Sequence, residues 1–431
     1  MSIFRRTFKG GIHPPENKET SGFKIERLPQ PQFLYIHLLG SFGSPSEPVV
    51  EKGQRVLKGE VIAKPTSKIS SFIHSPVSGI ISDIKNWPHY SGKSLPAIVI
   101  ENDFKNEEFH YPEKNIPLMR PSDIVSEVRN FGIVGLGGAV FPTDVKLSPP
   151  VGKKITTIIV NGCECEPYLT CDESVIREEP EKIIEGAVLA ARSTSAKEII
   201  IAIEKNKTSS ARKLVEIAGS RAKIVFLPVK YPQGGEKQLI YAVLRRKVLR
   251  GALPADVGCV VINVQTAKAI YEAICKRKPL YERVTTLGGF FRKPGNVIAP
   301  IGITLKDLIE FRGGLPDNVD KIIFGGPMMG VSVDNLDVPL TKATSGILLF
   351  IHREKKLYEC IRCMRCRDVC PMNLSPRESY ALFKRGEAYS YADICIECGS
   401  CAYACPAGIP LVQYLKWAKQ KLKSVRSAAG K

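Results

Sequence analysis

No apolar run in this 431-residue chain approaches the roughly 20 residues needed to cross a bilayer; Ile347 to Ile351 is only a short strand-like stretch. No apolar h-region follows Arg5, Arg6 and Lys9 near the start, so a secretory signal is not expected, and neither is a disulfide framework. Low-complexity tracts and tandem short repeats are also missing. Acidic residues are in deficit, 43 Asp and Glu against 62 Lys and Arg, for a net charge of +19. Such a surplus attracts nucleic acid, anionic lipid, acidic proteins or phosphate-bearing cofactors. Nucleic-acid motifs are absent and the lysines are scattered, so binding to nucleic acid is not expected. Together these absences point to an intracellular, soluble chain. Hydrophobic residues make up 44%, enough for ordinary cores, and the length fits two to four domains.

What the chain does have is cysteine in a pattern. Cys360, Cys363, Cys366 and Cys370 form a C-x2-C-x2-C-x3-C-P run, and Cys395, Cys398, Cys401 and Cys405 repeat it. A doubled run of this kind is the ligand set of two [4Fe–4S] clusters, in which the fourth cysteine of each run serves the other cluster. The expected sets are therefore Cys360, Cys363, Cys366 with Cys405, and Cys395, Cys398, Cys401 with Cys370. Zinc sites use C-x2-C pairs rather than three cysteines at double spacing plus a fourth. Pro371 and Pro406 turn the chain away after each run. Between the runs, Ser375, Pro376 and Glu378 read as N-cap, N1 and N3 of a capping-box helix. Cys163, Cys165 and Cys171 lack a fourth thiolate for a further cluster; with Cys259 and Cys275 they read as small packing residues. The basic tail, Lys416, Lys419, Lys421, Lys423, Arg426 and Lys431, is either a solvated face or a contact for a membrane surface or an acidic electron carrier.

Upstream, residues to about 100 read as all-β, with Val49, Val56, Val61, Ile62, Ile80, Ile81, Ile84 and Ile98 to Ile100 set among glycine and proline. After a polar linker and a helix from about Ser122 to Gly132, strand and helix signals alternate. Strands are expected at 155–160, 199–203, 224–229 and 259–264, with helices at 180–192, 209–218, 236–245 and 266–275. That order argues for a largely parallel sheet with helices on its faces. Residues 281–338 read as a small β-rich module with one helix at 304–310. The domains expected are 1–115, 116–278, 279–345 and 346–431, in an overall multidomain α/β fold.

A glycine loop, Gly132 to Thr143, precedes the first strand of the α/β region and contains Gly135, Gly137 and Gly138. Glycine lets backbone N–H groups approach a phosphate or a flat ring. The phrase Gly53 to Ala63 with Ile73 to Gly79 resembles a lipoyl or biotinyl barrel-sandwich domain. The 281–338 module resembles a soluble-ligand-binding β-grasp domain. The glycine loop with Lys146, then Val160 to Pro167, Gly234-Gly235-Glu236, and Ile262 to Thr266 resemble, in order, the flavin- and NADH-binding subunit of respiratory complex I. The opening Lys9 to Glu16 and the phrase Glu166 to Asp172 are closer still to the RnfC family, a peripheral component of Rnf complexes, the membrane-bound ion-translocating ferredoxin:NAD oxidoreductases.

The resemblance implies a barrel-sandwich N-terminal domain, a Rossmann-like α/β flavin domain, a β-grasp module and a helical ferredoxin-like domain holding two [4Fe–4S] clusters. It implies FMN as cofactor and NAD(H) as substrate. Gly135, Gly137 and Gly138 would cradle the flavin, Lys146 neutralise its phosphate, and Asn161 and Asn263 bond its ring or ribityl chain. Glu164 and Glu166 would line the nicotinamide side and Glu236 reach the dinucleotide. No side chain is expected to act as a proton base. Val140 stands where the complex I version has glycine, and Cys163 where it has an acid. The implied partners are membrane-embedded and peripheral subunits of one complex, with ferredoxin reached indirectly, and the implied place is the cytoplasmic face of the membrane. Ion pumping would reside in the membrane partners, because this chain shows no span. A soluble flavin/iron–sulfur reductase such as a cobalamin reductase, or a non-catalytic iron–sulfur relay or scaffold, are the alternatives.

Overall fold

The computed structural model describes residues 6–351 and 356–429. Arg5 and Lys431, and the side chain of Arg426, lie outside the described residues.

Its central sheet follows from β-branched runs that are apolar on both faces. Ile158, Ile159, Val160, Ile200, Ile201, Ile203, Val260, Val261 and Ile262 are all buried, as a parallel sheet covered on both sides requires. Four parallel strands run in the order Lys223–Leu227, Glu198–Glu204, Thr157–Gly162, Cys259–Asn263. Ile158, Val160, Ile201 and Ile262 pack against the helices Pro121–Asn130, Pro180–Thr194 and Val264–Cys275. Ile159, Ile200 and Val261 face the helix Glu236–Leu244 on the other side. The strand order reverses between Thr157–Gly162 and Cys259–Asn263. Their carboxyl ends therefore open a crevice, the usual ligand position in such sheets.

The N-terminal part forms two small antiparallel sheets facing one core of Leu34, Ile36, Val56, Ile62, Ile73, Ile81, Ile98 and Ile100. A six-stranded mixed sheet follows, in the order Ile25–Arg27, Gly295–Pro300, Glu282–Gly289, Gly346–Phe350, Lys321–Phe324, Val331–Val333. The helix Leu305–Phe311 shares its core. Last come four helices, Arg365–Asp368, Pro376–Phe383, Ser400–Tyr403 and Leu411–Ala429, around the cysteine runs. Phe383 packs edge-on against Trp417, tying the second of these helices to the last.

Three expectations change. The sheet of residues 282–350 takes Ile25–Arg27, parallel to Gly295–Pro300, from the stretch read as the first domain. It also takes Gly346–Phe350, parallel to Glu282–Gly289, from the stretch read as the cluster domain. The first covers an edge of the sheet and the second fills its interior between Glu282–Gly289 and Lys321–Phe324, pairings that local sequence does not reveal. The helix expected from Ser209 begins at Arg212, because a 3-10 turn, Lys205–Lys207, and the turn after it take up the preceding residues. The capping box at Ser375 does not form: Pro376 starts the helix, but the Ser375 hydroxyl makes no cap bond. Elsewhere the strands and helices lie within a few residues of the expected limits.

One buried polar knot joins the layers. The fully buried Asn296 amide accepts from the Thr170 and Thr286 hydroxyls at 3.0 and 2.9 Å. It donates to Ser174 Oγ at 2.7 Å and to the Thr20 carbonyl at 3.3 Å. Replacing it leaves several buried partners unpaired, so Asn296→Leu is expected to destabilise the protein by roughly 2–4 kcal/mol in urea unfolding, against little change for an exposed Asn.

Candidate functional site

The crevice at the sheet's carboxyl ends opens into a cavity of about 480 Å³. Gly135 and Gly137 line it from the glycine loop, and Lys146 from the short helix Thr143–Leu147. Asn161 reaches it from the end of the strand Thr157–Gly162, Glu164 and Glu166 from the loop beyond it, Glu236 from the start of its helix, and Asn263 from the end of the strand Cys259–Asn263. Eight of the nine cofactor residues expected from sequence thus surround one space. Gly138 does not. It lines a neighbouring cavity of about 350 Å³ between the glycine loop and the N-terminal sheets.

Most of these side chains already hold backbone. Asn161 donates to the Gly234 carbonyl at 2.9 Å and accepts from the Cys163 N–H. Asn263 caps its helix through Gln265 N–H and donates to Asp172 at 2.6 Å. Glu164 accepts the N–H groups of Asp172 and Glu173 at the head of the helix Cys171–Glu178. Lys146 donates to Glu236 at 2.6 Å and to the Val261 carbonyl, so the two groups expected to meet phosphate and dinucleotide face each other. Val140 takes φ +44°, a left-handed conformation that strains a β-branched residue and suits the glycine of the complex I version. Cys163 turns into the sheet core and away from the cavity, while Cys165 and Cys171 line it.

Residues that sequence reasoning missed complete the wall. Tyr231 is 2% exposed, lines the cavity, and donates its hydroxyl to the Cys398 carbonyl at 2.7 Å. Lys18 donates to the carbonyls of Glu164, Glu166 and Leu169, pinning the loop from the N-terminal segment. Glu166 accepts from Met328 and Met329 N–H, both at 2.9 Å. The approach is so close that a Cβ on Gly326 would meet Glu166 Oε2 at 2.3 Å. Only the N-terminal motif had a signal. In it, Gly10 (φ +78°) lies where a Cβ would be 2.7 Å from the Cys370 carbonyl. Gly11 N–H donates to the Val369 carbonyl, and Ile12 pairs with Tyr231.

The eight paired-run cysteines gather as two groups. Cys360, Cys363, Cys366 and Cys405 line one small cavity; Cys370, Cys395, Cys398 and Cys401 line another. The doubled runs adopt the same backbone, with Arg362 and Met364 in one and Glu397 and Gly399 in the other at positive φ. That turn aims the Leu374 and Glu397 N–H groups at sulfur, on Cys370 and Cys395, each at 3.3 Å. Burial pushes the Cys395 thiol up to about 11 and raises those of Cys370, Cys398 and Cys401 as well. Such thiols ionise when a metal-bearing centre takes the thiolates. Donor set and enclosure thus fit iron–sulfur clusters, and the glycine-floored cavity fits a flavin nucleotide. Cys398 and Ile396 also form part of the large cavity's wall.

The chain matches four family models in turn: an RnfC barrel sandwich hybrid domain over residues 6–105, a Nuo51 FMN-binding domain over 128–272, an SLBB domain over 283–332 and a 4Fe-4S dicluster domain over 359–409. These define the class, a flavin and iron–sulfur electron-transfer protein. Among curated relatives, the C subunit of the proton-translocating ferredoxin:NAD(+) oxidoreductase complex of Clostridium ljungdahlii is 41% identical, covering 86% of this chain and 83% of its own. The Na(+)-translocating counterpart of Acetobacterium woodii is 40% identical, over 87% of each chain. The C subunit of the ion-translocating oxidoreductase complex of Rhodobacter capsulatus is 38% identical, over 98% of this chain and 84% of its own. The chain belongs to the RnfC family of ion-translocating oxidoreductase complexes. A solved NAD+-reducing [NiFe]-hydrogenase shares the fold at 18% identity and a TM-score of 0.50, over 72% of this chain and 67% of that one.

Burial pushes the carboxyl of Glu166 up from 4.5 to about 7, against the opposing pull of the Met328 and Met329 N–H groups. A carboxyl raised by folding contributes stability in full below its unfolded value and loses it as pH rises through the folded value. Stability is therefore expected to fall between about pH 4.5 and 7 on this account. Glu166→Gln should make that slope shallower in urea unfolding across the range, with Glu164, raised likewise by burial, retaining part of it.

Proposed function

We propose that the chain is the NAD(H)-facing electron module of a membrane-bound ion-translocating oxidoreductase, exchanging electrons between NAD(H) and partner subunits, with ferredoxin as the distant carrier. The observation that carries this reading is the shared wall: Cys398 and Ile396 of one cysteine group border the cavity that the glycine loop floors. FMN exchanges a hydride with the nicotinamide ring and single electrons with [4Fe–4S] clusters, and that is the chemistry these groups supply when bound.

The chain's own residues hold and orient. Gly135 and Gly137 admit close approach of the backbone to a ring, with Gly138 at the rim toward the neighbouring cavity. Lys146 offers charge to the flavin phosphate and Glu236 a contact to the dinucleotide; their mutual ion pair keeps both in place until an anion competes. Asn161 and Asn263 fix the strand ends and present their remaining amide capacity to the flavin. Glu164 and Glu166 bound the nicotinamide side, anchored by backbone N–H groups. Cys360, Cys363, Cys366 and Cys405 hold one cluster, and Cys370, Cys395, Cys398 and Cys401 the other. We assign the modules as barrel-sandwich, Rossmann-like, β-grasp and ferredoxin-like units over 1–115, 116–278, 279–345 and 346–431, with the two strand exchanges described above. Among the described residues no helix is long and apolar enough to cross a membrane, which supports a peripheral position, placed here on the cytoplasmic face. The coupled ion movement belongs to the partners.

Protein purified without oxygen should contain about eight iron and eight labile sulfide per chain. It should be yellow-brown, and NADH should bleach its flavin absorbance. Cys405→Ser should remove the EPR signal of one cluster and spare the other. Zinc at stoichiometry without sulfide, or clusters with no NADH-reducible flavin, would overturn the reading.

A further inference from the structure

The two cysteine groups share one sequence pattern and differ in what covers them. The group nearest the large cavity is enclosed: the Tyr231 hydroxyl bonds the Cys398 carbonyl, Met328 touches Gly399, and Lys419 bonds both the Cys395 carbonyl and Glu397. The other group is open. Cys363 alone among the thirteen cysteines is exposed. Around it the apolar side chains of Leu357, Tyr358 and Ile361 stand 66%, 60% and 67% exposed. Arg362 on the same loop, and Arg365 and Arg367 on the short helix after it, are exposed and make no ion pair among the described residues. Of the nearby acids, Glu359 is paired with Lys384 and Asp368 is exposed.

An exposed apolar centre flanked by guanidinium groups that make no ion pair among the described residues has the composition of a protein-docking site. We propose that the Leu357–Arg367 collar is the docking surface for an acidic protein that carries a one-electron centre near its own surface. This rests on the function proposed above. Charge selects the partner: arginines without an ion-pair partner among the described residues favour an acidic rim and speed encounter. Position selects the task, because among the described residues this is the cysteine group with a fully exposed member, Cys363. Each NADH oxidised to NAD+ and a proton yields two electrons, which would leave through the docked centre one at a time.

The test uses the cluster- and flavin-loaded full chain, with an acidic ferredoxin as a stand-in for the cluster-bearing partner, and reads binding by interferometry. Binding should weaken at least tenfold between about 50 and 300 mM salt, as exposed charge pairs are screened. R365E/R367E and, separately, Ile361→Ser should each weaken it at least tenfold at low salt, with both EPR signals retained. NADH-driven ferricyanide reduction should persist in the variants; its absence in the unaltered protein would defeat the proposed function rather than the docking surface. Salt-independent binding, or ferredoxin binding unchanged in both variants, would overturn the proposal. So would loss of binding to phosphatidylserine vesicles instead of ferredoxin, which would assign the collar to a lipid surface. The salt titration of the unaltered chain decides even where a variant fails to fold.

Discussion

A hydride donor and one-electron acceptors can be coupled only where their sites nearly touch, and in this chain that closeness comes down to one wall. Tyr231 forms its centre. Its ring faces the large cavity, its hydroxyl bonds the Cys398 carbonyl, and its backbone pairs with Ile12. The parallel sheet places the cavity, and the wall joins it to the cysteine groups. Without that contact the flavin-type cavity and the cluster-type loops would be two independent sites on one polypeptide.

The wall is assembled from distant parts of the chain, each held by polar groups that would be costly to bury unpaired. Lys18 arrives from the N-terminal segment and spends its ammonium on three carbonyls of the Glu164–Leu169 turn. The Met328–Met329 turn arrives from the six-stranded sheet and gives its N–H groups to Glu166. Gly10 and Gly326 are glycines because another backbone or carboxylate occupies the space a side chain would need. Burial raises the carboxyls of Glu164 and Glu166 to about 7, well above their ordinary value.

The duplicated cysteine run shows how identical local chemistry acquires different roles. Both loops use the same turn, but one is roofed by Tyr231, Met328 and Lys419 and the other presents Cys363 to solvent. The basic tail changes meaning in the same way. Lys416 and Lys419 pair with Glu397, and Lys419 also bonds the Cys395 carbonyl. Part of the positive charge that read as a free surface is thus committed to closing the loop nearest the cavity.

Cysteine spacing, the glycine loop and the alternation of β-branched runs with helices were legible in the sequence, because a cluster's ligand geometry and a parallel sheet each demand a local pattern. Those patterns located all eight cysteines and, in the glycine loop, Gly135 and Gly137; the other six expected residues that line the cavity came from the family resemblance. They did not reveal that Glu164 spends its carboxylate on backbone N–H groups, that Lys146 and Glu236 face each other, or that Ser375 leaves its helix uncapped. They did not reveal Tyr231 or Lys18 as parts of the wall, nor the exchange of Ile25–Arg27 and Gly346–Phe350 into one sheet. Each of these depends on contacts between segments far apart in the chain, and such partners carry no local signature. The sequence by itself determined which groups this protein can hold. Only the tertiary structure decided which of them are neighbours, because adjacency is set by packing across the whole chain.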